Sequence, residues 1–227
     1  MPTRGEIDRL GDALRRGVIL GSEQALETHT GYDTYRLAVA HALDEVVARL
    51  KVALPGVPSS SRMKTPDSVA AKLRRTPQMR LSRMQDVVGC RFVVDTLAAQ
   101  DAAVACALGE FPSSKVDDIR REPHSGYRAV HVIVRVDSGD SVEVQVRTTL
   151  QQKWAELSEK VAYAMGMEVK YGGGPEAIRT MLDEMAAEAA ELDTLKAGAG
   201  WSANLEQAER RFLTRCAAII ALAEGTR

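Results

Sequence analysis

The chain has 227 residues, 45% of them hydrophobic and 27% charged, with 30 Lys+Arg against 31 Asp+Glu and a formal net charge of −1. That length and apolar content suit one domain with appendages or two small domains, each with a real core. The near-neutral balance excludes a wholesale basic coat for nucleic acid, and ordinary Gly (17) and Pro (8) usage excludes global disorder.

In chain order, residues 1–32 read as a charged N-terminal helical segment, without the apolar stretch of a signal peptide. Residues 33–54 read as one helix. Leu43, Val46, Val47, Leu50 and Leu54 make an apolar stripe, and Asp33 or Thr34 is placed to cap it. Pro55-Gly-Val-Pro58 and Ser59-Ser-Ser61 read as a loop. Residues 66–75 read as a short helix opened by Pro66, with Asp67 in its first turn and Lys72, Arg74 and Arg75 near its end, as the helix dipole favours. Residues 87–94 are β-branched and read as a buried strand, and residues 98–108 as an Ala-rich helix. Residues 130–136 and 142–147 read as two strands joined by the turn Asp137-Ser-Gly-Asp140, a hairpin. Residues 150–165 read as a helix carrying Trp154 and Leu157. Tyr171-Gly-Gly-Gly174 then breaks the chain, and helices follow at 175–196 and 203–223. This order predicts an α+β fold, a small mixed β-sheet flanked by helices at both ends.

The three cysteines, Cys90, Cys106 and Cys216, are odd in number and widely spaced, which argues against a disulfide framework or a zinc ribbon. No apolar run reaches a membrane span, so the expectation is a cytoplasmic protein with no membrane partner.

Four constellations carry chemistry. The first is Arg62-x-Lys64-x-x-x-Ser68-x-x-x-Lys72. Between Arg62 and Arg91 lie eight basic and two acidic residues, a local excess of six. Ser68 and Lys72 share a helix face, and Arg62 and Lys64 precede a helix N-terminus, where phosphates are well held. A solvated basic face is the alternative. The second is Asp86, directly before the apolar strand. It is a natural magnesium ligand beside a phosphate site, or simply a strand-terminating Asp. Arg91 interrupts that strand and needs a carboxylate partner or a base to stack on. The third is His124-Ser-Gly-Tyr127-Arg128-Ala-Val-His131. Here Tyr127 is placed to stack a base and His131 lies on the same strand face, with a core histidine as the alternative. The fourth is Glu143-x-Gln145-x-Arg147, three polar side chains on one sheet face, either lining a site or facing solvent.

Taken together, Arg62-Met-Lys-Thr-Pro-Asp-Ser-Val-Ala-Ala-Lys72, Asp86-Val-Val-Gly-Cys-Arg91, Gly126-Tyr-Arg-Ala-Val-His131 and Glu143-Val-Gln-Val-Arg-Thr148 resemble the synthetase domain of the RelA/SpoT alarmone synthetases. The resemblance places a nucleotidyltransferase-like synthetase domain at 33–165 and a helical extension at 166–227. It implies transfer of the β,γ-pyrophosphate of ATP to the 3′-hydroxyl of GDP or GTP, giving (p)ppGpp. By position it implies that Arg62 and Arg91 hold the adenine and that Lys64, Ser68 and Lys72 grip the ATP phosphates. Asp86 and Glu143 would hold Mg²⁺, with Glu143 also deprotonating the hydroxyl. Tyr127, His131, Gln145 and Arg147 would bind the acceptor. No His-Asp dipeptide is present, so synthesis without hydrolysis is expected.

The small members of the family imply a possible homo-oligomer through the C-terminal helices. A toxic branch implies the alternative of pyrophosphorylating tRNA ends or adenine nucleotides, with an antitoxin partner. Arg74, Arg75, Arg80, Arg83, Arg120 and Arg121 would be the tRNA-facing surface, or would equally bind the acceptor's 5′-phosphates. Two departures from the family pattern are Ser125, where many members carry Asn, and Ser158-Glu159-Lys160, where many carry Glu-His-Lys. The acidic helix 175–193 could be a solvated face, an interface or a cover. Its Met181, Leu182, Met185, Ala189 and Leu192 are expected in the core or a subunit contact. Trp201 sits in a linker and has no assigned role.

Overall fold

The structure is a computed structural model, and it describes residues 2–17, 23–137, 139–198 and 202–225. Trp201 lies outside the described residues, as does Ser138 of the expected hairpin turn. The element order is α1 (Arg4–Arg16), α2 (Glu23–Ala38), α3 (Ala40–Ala53), β1 (Ser59–Met63), α4 (Pro66–Arg75), β2 (Val88–Val94), α5 (Leu97–Glu110), β3 (Lys115–Asp118), β4 (Val130–Arg135), β5 (Ser141–Thr148), α6 (Thr149–Met165), α7 (Glu176–Gly198) and α8 (Ala203–Gly225). The strands form one five-stranded mixed sheet in the order β1-β2-β5-β4-β3. The α+β expectation therefore holds.

Two compact units divide the chain. One holds residues 1–91, 108–115 and 133–144, and the other holds 92–107, 116–132 and 145–227. In the first, α1 begins with a capping box between Thr3 and Glu6 and ends at Gly17. It lies very close to the 3₁₀ turn Leu81–Arg83: a Cβ on Gly11 would stand 2.6 Å from Leu81 Cβ. Tyr32, Val46, Leu50, Val69 and Leu73 are fully buried and supply the core. The single helix expected at 33–54 is instead the end of α2 and all of α3, with the break at Val39. Asp33 and Thr34 are therefore interior positions rather than caps. Asp33 pairs with Arg36 at 2.9 Å, and the Thr34 hydroxyl donates to the Thr30 carbonyl. The loop expected at 59–61 is strand β1. Serines with an exposed burial pattern carry no apolar alternation, so the edge strand left no hydrophobic signal. Strand β3 escaped for the same reason, since Lys115, Val116 and Asp117 are all exposed.

In the second unit, α6 starts from Thr148, whose side chain accepts from Gln151 N–H while the Gln151 side chain accepts from the Thr148 N–H. Leu150, Trp154, Leu157 and Val161 of α6 pack with Leu182, Met185, Ala189 and Leu192 of α7 and with Leu205, Phe212 and Cys216 of α8. The apolar stripe of the acidic helix is thus spent inside the chain, with Met181 packed at its margin. Gly126 has φ +81 and abuts this core, where a Cβ would meet Ala186 Cβ at 2.6 Å and Trp154 at 2.8 Å. That fixes where Tyr127 leaves the loop. Ser125 beside it is left-handed, at φ 48, a conformation that Asn carries more easily than Ser. Among the described residues no helix is long and apolar enough to cross a membrane.

Candidate functional site

In the first unit the site grows from α4. Thr65 caps the helix, accepting from Ser68 N–H at 3.3 Å and donating to the Ser68 hydroxyl at 3.0 Å. Pro66 suits the first turn because its missing N–H costs nothing there. Lys72 lies one turn beyond Ser68, on the same face. Lys64 leaves β1, whose backbone is pinned by Lys64 N–H to Val87 O (2.9 Å) and by the buried Tyr32 hydroxyl donating to Lys64 O (2.9 Å). Both lysines reach one carboxylate oxygen: Lys64 Nζ lies 2.5 Å and Lys72 Nζ 2.8 Å from Asp86 Oδ2. Asp86 Oδ1 is buried and has no hydrogen-bond partner among the described residues.

Burial pushes the Asp86 carboxyl up. The charges and hydrogen bonds of Lys64 and Lys72 outweigh that and hold it at about 2. Burial likewise pulls the Lys64 ammonium down, against the pull of Asp86. Asp86 is thus ionised at any working pH, with one oxygen occupied and the other uncommitted. That orphan oxygen fits a hard divalent cation, which takes one or two protein carboxylates and completes its shell with phosphate oxygens and water.

Glu143 belongs to the same unit. It is 8% exposed, and Arg62 Nη2 lies 3.9 Å from its Oε2. Glycine is required opposite it, because a Cβ on Gly89 would stand 2.7 Å from the Glu143 carbonyl oxygen. Cys90, buried beside this pair, has its thiol pushed up to about 12 by burial and then by the Glu143 charge, which makes it inert. Arg91 is half-buried on β2.

In the second unit Arg147 is the hub. Its Nη1 donates to Gln152 Oε1 at 2.9 Å, and its Nη2 donates to the Tyr127 hydroxyl at 2.6 Å and to Gln145 Oε1 at 3.1 Å. The guanidinium carbon sits 4.9 Å from the Tyr127 ring centroid. The Tyr127 hydroxyl also meets His131 Nε2 at 2.8 Å, with the two rings edge-on at 5.8 Å. His131 is therefore a member of a polar chain rather than an isolated core histidine.

Sequence spacing placed Glu143, Gln145 and Arg147 on one sheet face with either a site or solvent before them. The structure removes the solvent option, because all three are buried, as are Val142, Val144 and Val146 on the other face. The structure brings together Lys64, Lys72 and Asp86, then Arg62 with Glu143, and separately Tyr127, His131, Gln145 and Arg147. Ser68 stands on the α4 face with Lys72. Of the arginines read as a tRNA-facing surface, Arg120 is held by Asp118 and Asp101 at 2.8 Å each, Arg121 faces Asp118 at 3.5 Å, and Arg80 pairs with Asp12 at 3.2 Å.

Sequence reasoning missed Tyr32, Thr65, Gly89 and Gln152. Thr65 before Pro66 is a readable cap signal, and Gly89 inside a β-branched run is a readable mark of close backbone approach. Tyr32 and Gln152 act through tertiary contact and leave no local trace.

Comparison with known proteins follows the same lines. Residues 61–168 match the family described as "Region found in RelA / SpoT proteins". Uncharacterized proteins of Mycobacterium tuberculosis and Mycobacterium bovis are 39% identical over 120 residues, which is 52% of this chain and 44% of theirs. The chain thus aligns with under half the length of those curated relatives. Among solved structures, the small alarmone synthetase 2 from Bacillus subtilis superposes with a TM-score of 0.59 at 23% identity, covering 74% of this chain and 96% of that one. The small alarmone synthetase 1 from Bacillus subtilis, bound to its product pppGpp, gives 0.55 at 20% identity, covering 78% and 96%. A GTP pyrophosphokinase family protein from Streptococcus pneumoniae gives 0.55 at 18%, covering 85% and 98%. Residues 61–168 thus match the RelA/SpoT region, and the chain shares the fold of the small alarmone synthetases.

Proposed function

We propose that this chain is a nucleotide pyrophosphokinase that transfers the β,γ-pyrophosphate of ATP to the 3′-hydroxyl of GDP or GTP, yielding (p)ppGpp and AMP. The observation that carries this reading is the buried Asp86 carboxylate, doubly held by Lys64 and Lys72 through one oxygen and uncommitted at the other. Two ammonium groups converging beside the N-terminus of α4, with Ser68 on the same face, are suited to a triphosphate. The pppGpp held by the Bacillus subtilis relative supports a guanine-nucleotide product.

In this reading Lys64, Ser68 and Lys72 grip the donor phosphates, and Arg62 and Arg91 flank the adenine with their guanidinium planes. Asp86 and Glu143 are the residues that would hold Mg²⁺. The ion, when bound, neutralises charge on the triphosphate and makes its β-phosphorus a better electrophile. Glu143 takes the proton of the 3′-hydroxyl as that oxygen bonds to the β-phosphorus. The bond from the β-phosphorus to the α-bridging oxygen breaks, and AMP leaves with that electron pair. Lys64 and Lys72 meet the charge that develops on the transferring oxygens. Tyr127, His131, Gln145 and Arg147 hold the acceptor. Arg147 covers one face of the Tyr127 ring, and in this reading the acceptor base stacks on the other.

The test is label transfer. The purified protein is incubated with Mg²⁺ and γ-labelled ATP while GDP, GTP, ADP, ATP and bulk tRNA are offered separately. Label on GDP and GTP is expected, with Glu143→Gln abolishing transfer while leaving ATP binding nearly intact. Label on tRNA or on adenine nucleotides alone transfers the donor chemistry to the toxin-type alternative. No transfer to any acceptor overturns the reading.

A further inference from the structure

Away from the clusters described above, the first unit contains a cavity of about 380 Å³ between the start of α1 and the Leu81–Arg83 turn. Arg4, Arg9, Arg80 and Arg83 line it, together with Asp8 and Asp12. None of the residues of the donor and acceptor clusters takes part, although Arg80 and Arg83 belong to the arginines that the toxin-type alternative would turn to tRNA. We propose that this cavity is a second nucleotide site, for a ligand whose di- or triphosphate is held by the arginines.

The walls are built rather than incidental. Asp8 Oδ1 accepts from the Ser82 N–H at 3.1 Å, and Gly11 allows α1 to lie directly against Leu81. The Arg15 guanidinium donates to the Met79 carbonyl, and Arg74 Nε donates to Arg15 O at 3.2 Å. Asp12 pairs with Arg80 at 3.2 Å and faces Arg15 at 3.8 Å. Both carboxylates are thus committed to holding helix and turn together. Arg4 and Arg83 are exposed and make no salt bridge among the described residues. Arginines around one concavity, with the nearby acid already engaged, suit a phosphate group, since each planar fork matches two phosphate oxygens.

The size of the cavity selects the ligand further. It lies within the range of small-molecule sites and far exceeds one phosphate ion. The carboxylates in the wall oppose a continuous phosphate chain, which disfavours an RNA backbone, yet Asp8 Oδ2, outside the Ser82 contact, is a good acceptor for a ribose hydroxyl or a base amino group. A nucleoside polyphosphate satisfies both signs of charge.

The experiment uses the full chain with Lys72→Ala and Tyr127→Ala, changes aimed at the donor and acceptor clusters. Loss of ATP and GTP turnover by that background tests the proposed function separately. Binding is then measured by equilibrium dialysis with labelled GTP and ATP, with inorganic tripolyphosphate and with a 20-nucleotide single-stranded RNA. One nucleotide per chain should remain bound, and adding Arg4→Ala with Arg83→Ala should weaken it at least about tenfold. A thermal melt should show those two exposed changes to be without effect on folding. Arg4→Lys with Arg83→Lys, which keeps the charge but loses the fork, should recover only part of the affinity. Equal affinity for tripolyphosphate supports the site and identifies inorganic polyphosphate as its source of ligand. Loss of all nucleotide binding in the background, indifference to the arginine changes, or preference for RNA overturns the proposal.

Discussion

Asp86→Asn separates a metal carboxylate from a mere structural clamp. In the folded chain the Asp86 carboxyl sits at about 2, against an ordinary 3.8. That difference corresponds to on the order of 2 kcal/mol of folding stability carried by the charged form. The sign follows from a lowered pKa: the contribution is complete above pH 3.8 and is lost as pH falls through 3.8 towards 2. Little of it is screened, because the Asp86, Lys64 and Lys72 side chains are only 11%, 14% and 25% exposed. Asp86→Asn removes the charge at every pH and leaves two ammonium groups facing an amide. Urea unfolding at pH 7 should therefore show a loss of about 2 kcal/mol. The same change frees both lysines for phosphate, so binding of ATP without Mg²⁺ should hold or tighten while turnover is lost. A stability change under about 0.5 kcal/mol would refute the electrostatic reasoning. A fall in metal-free ATP binding that parallels the fall in turnover would refute the metal role and leave Asp86 as a clamp on the lysines.

Gly89→Ala forces a Cβ to within 2.7 Å of the Glu143 carbonyl, so it should cost about 1–3 kcal/mol in unfolding experiments and lower kcat more than it raises the ATP KM. Arg147→Lys keeps the charge but loses the fork that joins Tyr127, Gln145 and Gln152. It should raise the acceptor KM several-fold, leave the ATP KM unchanged, and cost about 1–3 kcal/mol in a thermal melt. Asp193 accepts from the Thr148 hydroxyl at 2.7 Å, and burial pushes its carboxyl up to about 6. A raised carboxyl costs stability as pH rises from 3.8 through 6, by on the order of 3 kcal/mol, and Asp193→Asn should remove that slope from urea midpoints recorded between pH 4 and 8.

Most of the fold was legible because its interior elements carry strong periods. Helix α4 follows from Pro66 at its start and basic residues at its end, and β2, β4 and β5 follow from runs of Val. The edge strands β1 and β3 were not legible. An edge strand buries little, so the period-two signal that marks a buried face is absent from Ser59–Met63 and Lys115–Asp118. The break at Val39 was missed because α2 and α3 meet without Gly or Pro, and no side chain caps α3. In the candidate site, Lys64, Lys72 and Asp86 were each legible as types of residue, yet their convergence on one oxygen is a tertiary fact.

The two clusters also answer to different physics. The first is built from formal charges partly open to solvent, with Arg62 45% and Lys72 25% exposed at the side chain. A triphosphate held there, as proposed, would be held by Coulombic attraction, which weakens with salt. The second spends its one formal charge, on Arg147, within a chain of buried hydrogen bonds to Gln152, Gln145 and Tyr127, and Tyr127 passes the contact to His131. Such a chain is fixed by geometry and is little affected by ionic strength. Raising NaCl from about 0.05 to 0.5 M, a range over which the screening length falls to a few ångströms, should thus raise the ATP KM far more than the acceptor KM. Equal increases would mean that the acceptor is held chiefly through its phosphates, and the chain centred on Arg147 would then be structural support rather than a recognition surface.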